Sequence, residues 1–369
     1  MKVAVITLHA VPNYGSVLQA LATQKLLTAH GLDVEIINYI RKDITYHNLY
    51  NHWGGRNPLK RLVIHPTIQR WKKVFGEYCS KNLNLSEYRY YSMADFKAHP
   101  VKADLYCTGS DQVWNTKWNK GVLPEFYLAF APEKAYRFAF AASIGKDSID
   151  AREVELTSEF IKKYRYISMR EKSAEKLVAE KYHFDKVCTV LDPTLGLSAK
   201  EWRALMSKDR IDGDYILIYN LNRSKQFDEY ASKLSKKTGL KLVRLCTRYD
   251  QFYRVGKSVL VPEIPEFISL IANARYVLTD SFHATAFSIN MNTEPICVLP
   301  PEFSDRVKGF LKLMNAESRL VHDYSDFSVL KHHLNFTEIN ATLDEKRAEM
   351  HKFIETVADD AQNYYSTET

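Results

Sequence analysis

The sequence predicts an α/β protein of two Rossmann-like, doubly wound domains facing a cleft, and three observations carry that expectation. Short continuous apolar runs, such as residues 3–8 and 215–220, read as strands buried on both faces of a parallel sheet. Each such run gives way to a small polar turn and then to a stretch of helical periodicity, the rhythm of βαβ units. A chain of 369 residues is long enough for two such domains.

Residues 3–8 form the first expected strand. A loop with Asn13, Gly15 and Ser16 follows, then a helix over 17–30 in which Leu18, Leu21, Ala22, Leu26 and Leu27 recur at helical spacing and which Gly31 ends. Residues 34–39 are the next strand. The first turn holds a glycine but is not G-x-G-x-x-G, so it carries no dinucleotide inference. Residues 41–100 break the rhythm. They are basic and aromatic, with helical stretches at 59–78 and 93–99 (Ser92 capping the second), and read as an insertion in the first domain.

Alternation returns with strand 103–108, which runs into Gly109-Ser110-Asp111-Gln112-Val113-Trp114-Asn115. Strand 135–142 ends in Ser143-Ile144-Gly145, helix 154–164 leads to strand 166–169 and Arg170-Glu171, and helix 173–182 leads to strand 186–191 and Asp192-Pro193-Thr194. Ser198-Ala199-Lys200-Glu201 fits a capping box opening a linking helix. The polar break at 209–214 is the expected boundary, giving a first domain over 1–208 and a second over 209–341.

In the second domain, strand 215–220, helix 227–238, strand 241–245, strand 259–261 and helix 265–273 lead to the most informative stretch. Strand 276–279 ends in Asp280-Ser281-Phe282-His283, a small-residue helix runs to Asn290, and a strand follows at 295–299. A helix over 304–315 carries Arg306 near its start. Thr342-Leu343-Asp344-Glu345 fits a second capping box. It opens a final helix, 342–369, whose stripe of Leu343, Met350, Phe353, Ile354, Val357, Ala361 and Tyr364 is expected to pack back on the first domain. Two such halves make a GT-B-like frame, with the polar turns at the carboxyl ends of the strands pointing into its cleft.

The net charge of +7 lies within residues 41–97, which hold eleven Lys/Arg against four Asp/Glu. A localised basic segment suggests an anionic partner, either a membrane surface, a diphosphate-linked acceptor or nucleic acid; the bland alternative is a solvated helical face. No nucleic-acid motif is present, so nucleic acid is not expected as a partner. The cysteines, Cys79, Cys107, Cys188, Cys246 and Cys297, never reach metal-ligand spacing, and free buried thiols of a reducing compartment explain them. His332 and His333 point different ways on a helix, so no metal is expected. The apolar start is too short for a signal peptide, and no run approaches a membrane span. The expected location is the cytoplasm, with peripheral contact at the inner membrane face.

The turn at 280–283 draws attention on chemistry alone. A helix N-terminus aims unpaired N–H groups at whatever lies beyond it, which suits an anion. A histidine there can donate to a phosphate oxygen or pass a proton near neutral pH. The alternative is a capping residue with ordinary polar neighbours.

Taken together, the turns resemble the polysaccharide pyruvyl transferase family. The resemblance runs through Asn13-Tyr14-Gly15-Ser16-Val17-Leu18-Gln19-Ala20, the 109–115 turn, Ala142-Ser143-Ile144-Gly145, Arg170-Glu171-x-x-Ala174, Asp192-Pro193-Thr194-Leu195 and Asp280-Ser281-Phe282-His283. It implies transfer of pyruvate from phosphoenolpyruvate, as co-substrate and without a cofactor, to two hydroxyls of one sugar in a surface glycan precursor, closing a ketal. A lipid-diphosphate-linked acceptor fits the basic segment. Under this resemblance Arg170 is the clamp for phosphate and carboxylate, since a guanidinium fork matches both; pairing with Glu171 or Asp192 is its structural alternative. His283 meets the phosphate and doubles as the acid. Asp111 and Asp192 are the carboxylates for base or orienting work, or else turn caps. Asp280, Ser281 and Arg306 complete the donor side. Asn13, Gly15, Ser16, Gln19 and Ser110 line the acceptor side, with Trp114 stacking on a sugar or buried in the core. Some members carry an arginine where this chain has Ser281, so Arg306 or another cation replaces it, or the donor differs. Two other readings of the same frame are a glycosyltransferase using a nucleotide sugar and a non-catalytic member of a glycan assembly complex.

Overall fold

The computed structural model describes residues 1–208, 211–222, 224–300 and 304–366. These residues form two all-parallel sheets. The first consists of β1 (Lys2–Ile6), β2 (Asp33–Tyr39), β3 (Leu85–Tyr90), β4 (Leu105–Thr108), β5 (Tyr136–Ala142), β6 (Tyr166–Met169) and β7 (Val187–Thr189), in the order β3-β2-β1-β4-β5-β6-β7. The second consists of β8 (Tyr215–Tyr219), β9 (Lys241–Cys246), β10 (Lys257–Leu260), β11 (Tyr276–Thr279), β12 (Glu294–Val298) and β13 (Leu320–Val321), in the order β10-β9-β8-β11-β12-β13. The central strands β4, β8 and β11 are buried along their whole length, in keeping with their mostly apolar sequences; β8 is Tyr-Ile-Leu-Ile-Tyr with every residue inside. Both halves are thus doubly wound α/β layers.

The chain divides into two compact units. Unit 1 comprises Met1–Thr45, Glu77–Gly196 and Glu345–Thr369, and unit 2 comprises Tyr46–Gly76 and Leu197–Asp344. The division falls at Gly196, ahead of the expected break at 209–214, of which Asp209 and Arg210 lie outside the described residues. Residues 46–76, read from sequence as part of a first-domain insertion, belong to unit 2. Polar anchors fix them there. Trp71 Nε1 donates to Thr247 O at 2.8 Å, Tyr249 N donates to Thr67 Oγ1 at 3.0 Å, and Arg70 donates to Val261 O at 3.0 Å while pairing with Glu263 at 2.7 Å.

Two other expectations change. Residues 85–90 add β3 as an edge strand to the first sheet; its half-exposed, charged sequence hides the pattern of a strand. The last helix is Phe336–Ser366, six residues longer at its start than the Thr342 capping box predicts. Asn335 Oδ1 accepts from Thr337 N and Glu338 N, and Thr342 sits inside the helix, donating back to Glu338 O. The capping box at Ser198 and Glu201 is present as predicted. Within unit 1 the last helix is held by Tyr136 OH and Arg165 Nε, both donating to Asp360 Oδ2, and by a 2.8 Å contact between His30 Nε2 and His351 Nδ1. The cysteines are free thiols, all buried but the half-buried Cys188. Among the described residues no helix is long and apolar enough to cross a membrane.

Candidate functional site

Each sheet reverses its winding once. In unit 1 the reversal falls between β1 and β4, and in unit 2 between β8 and β11. At such a switch point the two following turns part in opposite directions and leave a crevice at the carboxyl edge. Most of the turns singled out in the sequence stand at or beside these two places.

In unit 1 the turns after β1 and β4 are stitched together. Thr7 Oγ1 donates to Ser110 O at 2.7 Å, and Ser16 Oγ donates to Asp111 Oδ2 at 2.7 Å. Asp111 has a φ of +73°, a left-handed conformation that Asp tolerates better than most residues, and its Oδ1 accepts from Gln112 N. A bulge in β5 brings a third turn alongside. Ala141 has a φ of +52° and the pairing with β6 shifts register there. Ser168 Oγ fills the gap, accepting from Ala141 N and donating to Ala139 O. Ala142 O then accepts from Arg170 N at 2.9 Å.

Around Arg170 the turns after β4, β6 and β7 converge. Its Nη1 pairs with Asp192 Oδ2, its Nη2 lies 3.7 Å from Asp111 Oδ1, and its Nε lies 3.5 Å from Glu171 Oε1. Asp192 also accepts from the amide and hydroxyl of Thr194, and Glu171 accepts from Ser143 Oγ at 2.7 Å. The Arg170 side chain is 2% exposed. Burial works against its charge, but the carboxylates of Asp192, Glu171 and Asp111 outweigh that effect and raise its pKa. The pairing with Glu171 and Asp192 that the sequence allows is therefore present, and Asp111 joins it from a third turn.

Unit 2 is built differently. Asp280 leaves β11 and is clasped by the turn after β8: Leu221 N donates to Oδ1 at 2.7 Å, Asn222 N to Oδ2 at 2.9 Å and Asn222 Nδ2 to Oδ2 at 3.0 Å. Burial raises the Asp280 pKa, and these donors act against that rise. Arg244 holds the same turn from below, donating to Asn220 Oδ1 at 2.8 Å while pairing with Asp228 at 2.6 Å. Asp280 therefore orders a turn at the switch point of unit 2. Ser281 caps the helix Phe282–Asn290, with its Oγ accepting from Ala284 N at 3.4 Å. His283 stands in the first turn of that wholly buried helix. The Arg306 guanidinium carbon lies 5.7 Å from the centre of the Phe282 ring, so the helix Ser304–Leu313 brings a partly exposed cation beside the turn.

The remaining sequence candidates divide. Asn13 caps the helix Tyr14–Ala29, its Oδ1 accepting from Gly15 N at 2.8 Å and Ser16 N at 3.4 Å. Gln19 and Ser110 are fully buried, Gln19 donating to Ser16 O and Thr7 Oγ1. Trp114 is a core residue. It is 2% exposed, donates through Nε1 to Phe126 O and stacks on Tyr127, so its face is not open to a sugar. The sequence names Glu171 and Asp192 as possible partners of Arg170; it does not show that Ser143 donates to Glu171, nor the Asn220–Asn222 turn that orders Asp280. The signal for that turn is its place after the first strand of the second half, at the switch point. Among the described residues no group of His, Cys, Asp and Glu is placed to hold a metal ion.

The family model described as polysaccharide pyruvyl transferase matches residues 13–300. No curated protein matches the sequence. Among solved structures, the chain is similar to the UDP-GlcNAc 2-epimerase from Neisseria meningitidis bound to UDP-GlcNAc (TM-score 0.50, 12% identity, 97% of this chain and 99% of that one). It is similar too to a putative UDP-N-acetylglucosamine 2-epimerase from Listeria monocytogenes (TM-score 0.50, 11% identity, 94% and 90%). A glycosyltransferase from Streptomyces sp. SF2575 complexed with thymidine diphosphate is comparably similar (TM-score 0.50, 10% identity, 97% and 99%). At these identities the likeness is one of fold, and the fold is the GT-B type.

Proposed function

Because the chain belongs to the polysaccharide pyruvyl transferase family, we propose that it moves the pyruvyl group of phosphoenolpyruvate onto two hydroxyls of one sugar in a surface polysaccharide precursor, closing a cyclic ketal. The observation that carries this reading is the position of His283 in the first turn of a buried helix at the switch point of unit 2, with Arg306 near the adjacent Phe282 ring. Helix N–H groups, an imidazole and a guanidinium suit a small anion with a phosphate and a carboxylate. In this reading Arg306 or another cation takes the place of the arginine that some members carry at the position of Ser281.

The reaction balances without a cofactor. An acid protonates the methylene carbon of the enol, one hydroxyl adds to the adjacent carbon, phosphate leaves, and the second hydroxyl adds to the same carbon. One hydroxyl proton balances the proton gained by the methyl group, and the other leaves with phosphate or to solvent. His283 serves as phosphate contact and acid. Asp111, held by Ser16 and close to Arg170, serves as base or as the group that orients a hydroxyl.

The test is incubation of the protein with phosphoenolpyruvate and a panel of short lipid-linked galactose, glucose and mannose oligosaccharides. The expected result is inorganic phosphate released only when an acceptor is present, with the acceptor gaining one pyruvyl ketal by mass spectrometry. Glycosyl transfer from a nucleotide sugar, with phosphoenolpyruvate left intact across the panel, would overturn the reading.

A further inference from the structure

The helix Pro58–Trp71 is apolar on two opposite faces. Its inner face buries Ile64, Thr67, Ile68 and Trp71 against unit 2. At about 100° per residue, Leu59, Leu62, Val63 and Pro66 fall on the other side. Leu59, Leu62 and Val63 are 72%, 71% and 61% exposed. A surface helix normally turns polar residues outward, so three adjacent aliphatic side chains in water mark a face that is covered in use. Trp53, at the end of the preceding helix Tyr46–Gly54, is also exposed.

The charge of the same segment points to what covers it. No Asp or Glu stands between Asp43 and Glu77. Arg61 and Arg70 are engaged within the unit, Arg61 with Asn51 and Gly55 O and Arg70 with Glu263. Arg56, Lys60 and Lys73 are exposed. Cations bordering an aliphatic strip match a bilayer with anionic headgroups, where apolar side chains enter the acyl boundary and long basic ones reach the phosphates. A second copy of the chain would bring like charges together across a two-fold contact. Nucleic acid would leave the aliphatic strip without a partner, since it is gripped by cations and stacking aromatics.

We propose that the outer face of the helix Pro58–Trp71 docks unit 2 on an anionic membrane surface, with Leu59, Leu62 and Val63 inserted and Arg56, Lys60 and Lys73 against lipid phosphates. This inference does not rest on the pyruvyl transfer reading, because the face lies outside both switch points and its binding needs no substrate.

The test is co-sedimentation of the full-length protein with vesicles of phosphatidylglycerol and phosphatidylcholine, against phosphatidylcholine alone. The wild type partitions onto the anionic vesicles and is released by high salt. Replacing Leu59, Leu62 and Val63 by Ser lowers that partition by about tenfold or more while circular dichroism and the unfolding midpoint stay unchanged. Lys60→Glu with Lys73→Glu removes the preference for anionic over neutral vesicles. Leu156→Ser, an exposed leucine of unit 1, changes nothing. No partition of the wild type, or partition untouched by the three serines, overturns the proposal. A stable dimer that the serines dissolve, without vesicle binding, would overturn it in favour of a copy-to-copy interface.

Discussion

At its switch point unit 1 gathers three carboxylates around one buried arginine, whereas unit 2 presents helix N–H groups and a histidine beside an aspartate already clasped by a turn. The two sheets share one winding scheme, yet the side chains at their carboxyl edges differ. The fold decides where a ligand can sit, and the residues on the turns decide what kind. An edge with surplus carboxylate suits hydroxyls that must lose protons. One formed at a helix N-terminus suits an anion.

The contrast breaks most severely if its central cation is removed. Arg170→Met leaves Asp111, Glu171 and Asp192 without their counter-ion, and losing one partner of a buried ion cluster costs about 3–5 kcal/mol. The denaturant midpoint of unit 1 is expected to fall by a corresponding amount. Arg170→Met combined with Asp192→Leu should recover part of the loss. An Arg170→Met protein as stable as wild type would mean the cluster contributes nothing.

A pH effect of about 3 kcal/mol separates the units next. His9, just after β1, is buried, and burial pushes its imidazole down to about 4 from an ordinary 6.5. Between those values the unfolded chain takes up a proton that the folded chain refuses, so unit 1 loses stability as pH falls through that window and is unaffected above it. His30 acts in the same direction, its pKa lowered by burial and by His351. His9→Gln should flatten most of the slope between pH 7 and pH 4.5 in chemical unfolding. An equally steep profile in the variant would assign the slope elsewhere.

The smallest effect belongs to the clasp in unit 2. Asp280→Asn weakens three charge-assisted hydrogen bonds but keeps an acceptor for the Leu221 and Asn222 amides, and should cost about 1–2 kcal/mol. Hydrogen exchange at Leu221 and Asn222 should quicken while β8 stays protected. Unchanged exchange at those amides would show that the turn holds itself.

Much of this was legible in the chain and some was not, for physical reasons. Strands such as β1 and β8 are readable because both of their faces are buried, which leaves unbroken apolar runs. The edge strand β3, Leu-Ser-Glu-Tyr-Arg-Tyr, is half in water and carries charges that break the pattern. The turns at Asp111, Arg170, Asp192 and Asp280 are conspicuous because small polar residues follow apolar runs. What each partners is not, since Arg170 meets acids from three separate turns and only the sheet order brings them together. The same limit applies to residues 46–76, whose place in unit 2 depends on Thr67, Arg70 and Trp71 meeting residues some 180 positions later, as with Trp71 and Thr247. Trp114 shows the converse: its turn admits a sugar platform or a core residue, and burial decides for the core.

The most direct measurement of the division of labour is calorimetric binding of phosphoenolpyruvate, paired with single-turnover transfer, on the wild type, His283→Ala and Asp111→Asn. The expected outcome is that His283→Ala loses both donor binding and turnover, the latter by a factor on the order of 10² to 10⁴, while Asp111→Asn still binds donor but no longer transfers it. Donor binding that survives in His283→Ala and vanishes in Asp111→Asn would place the anion in unit 1 and contradict the account.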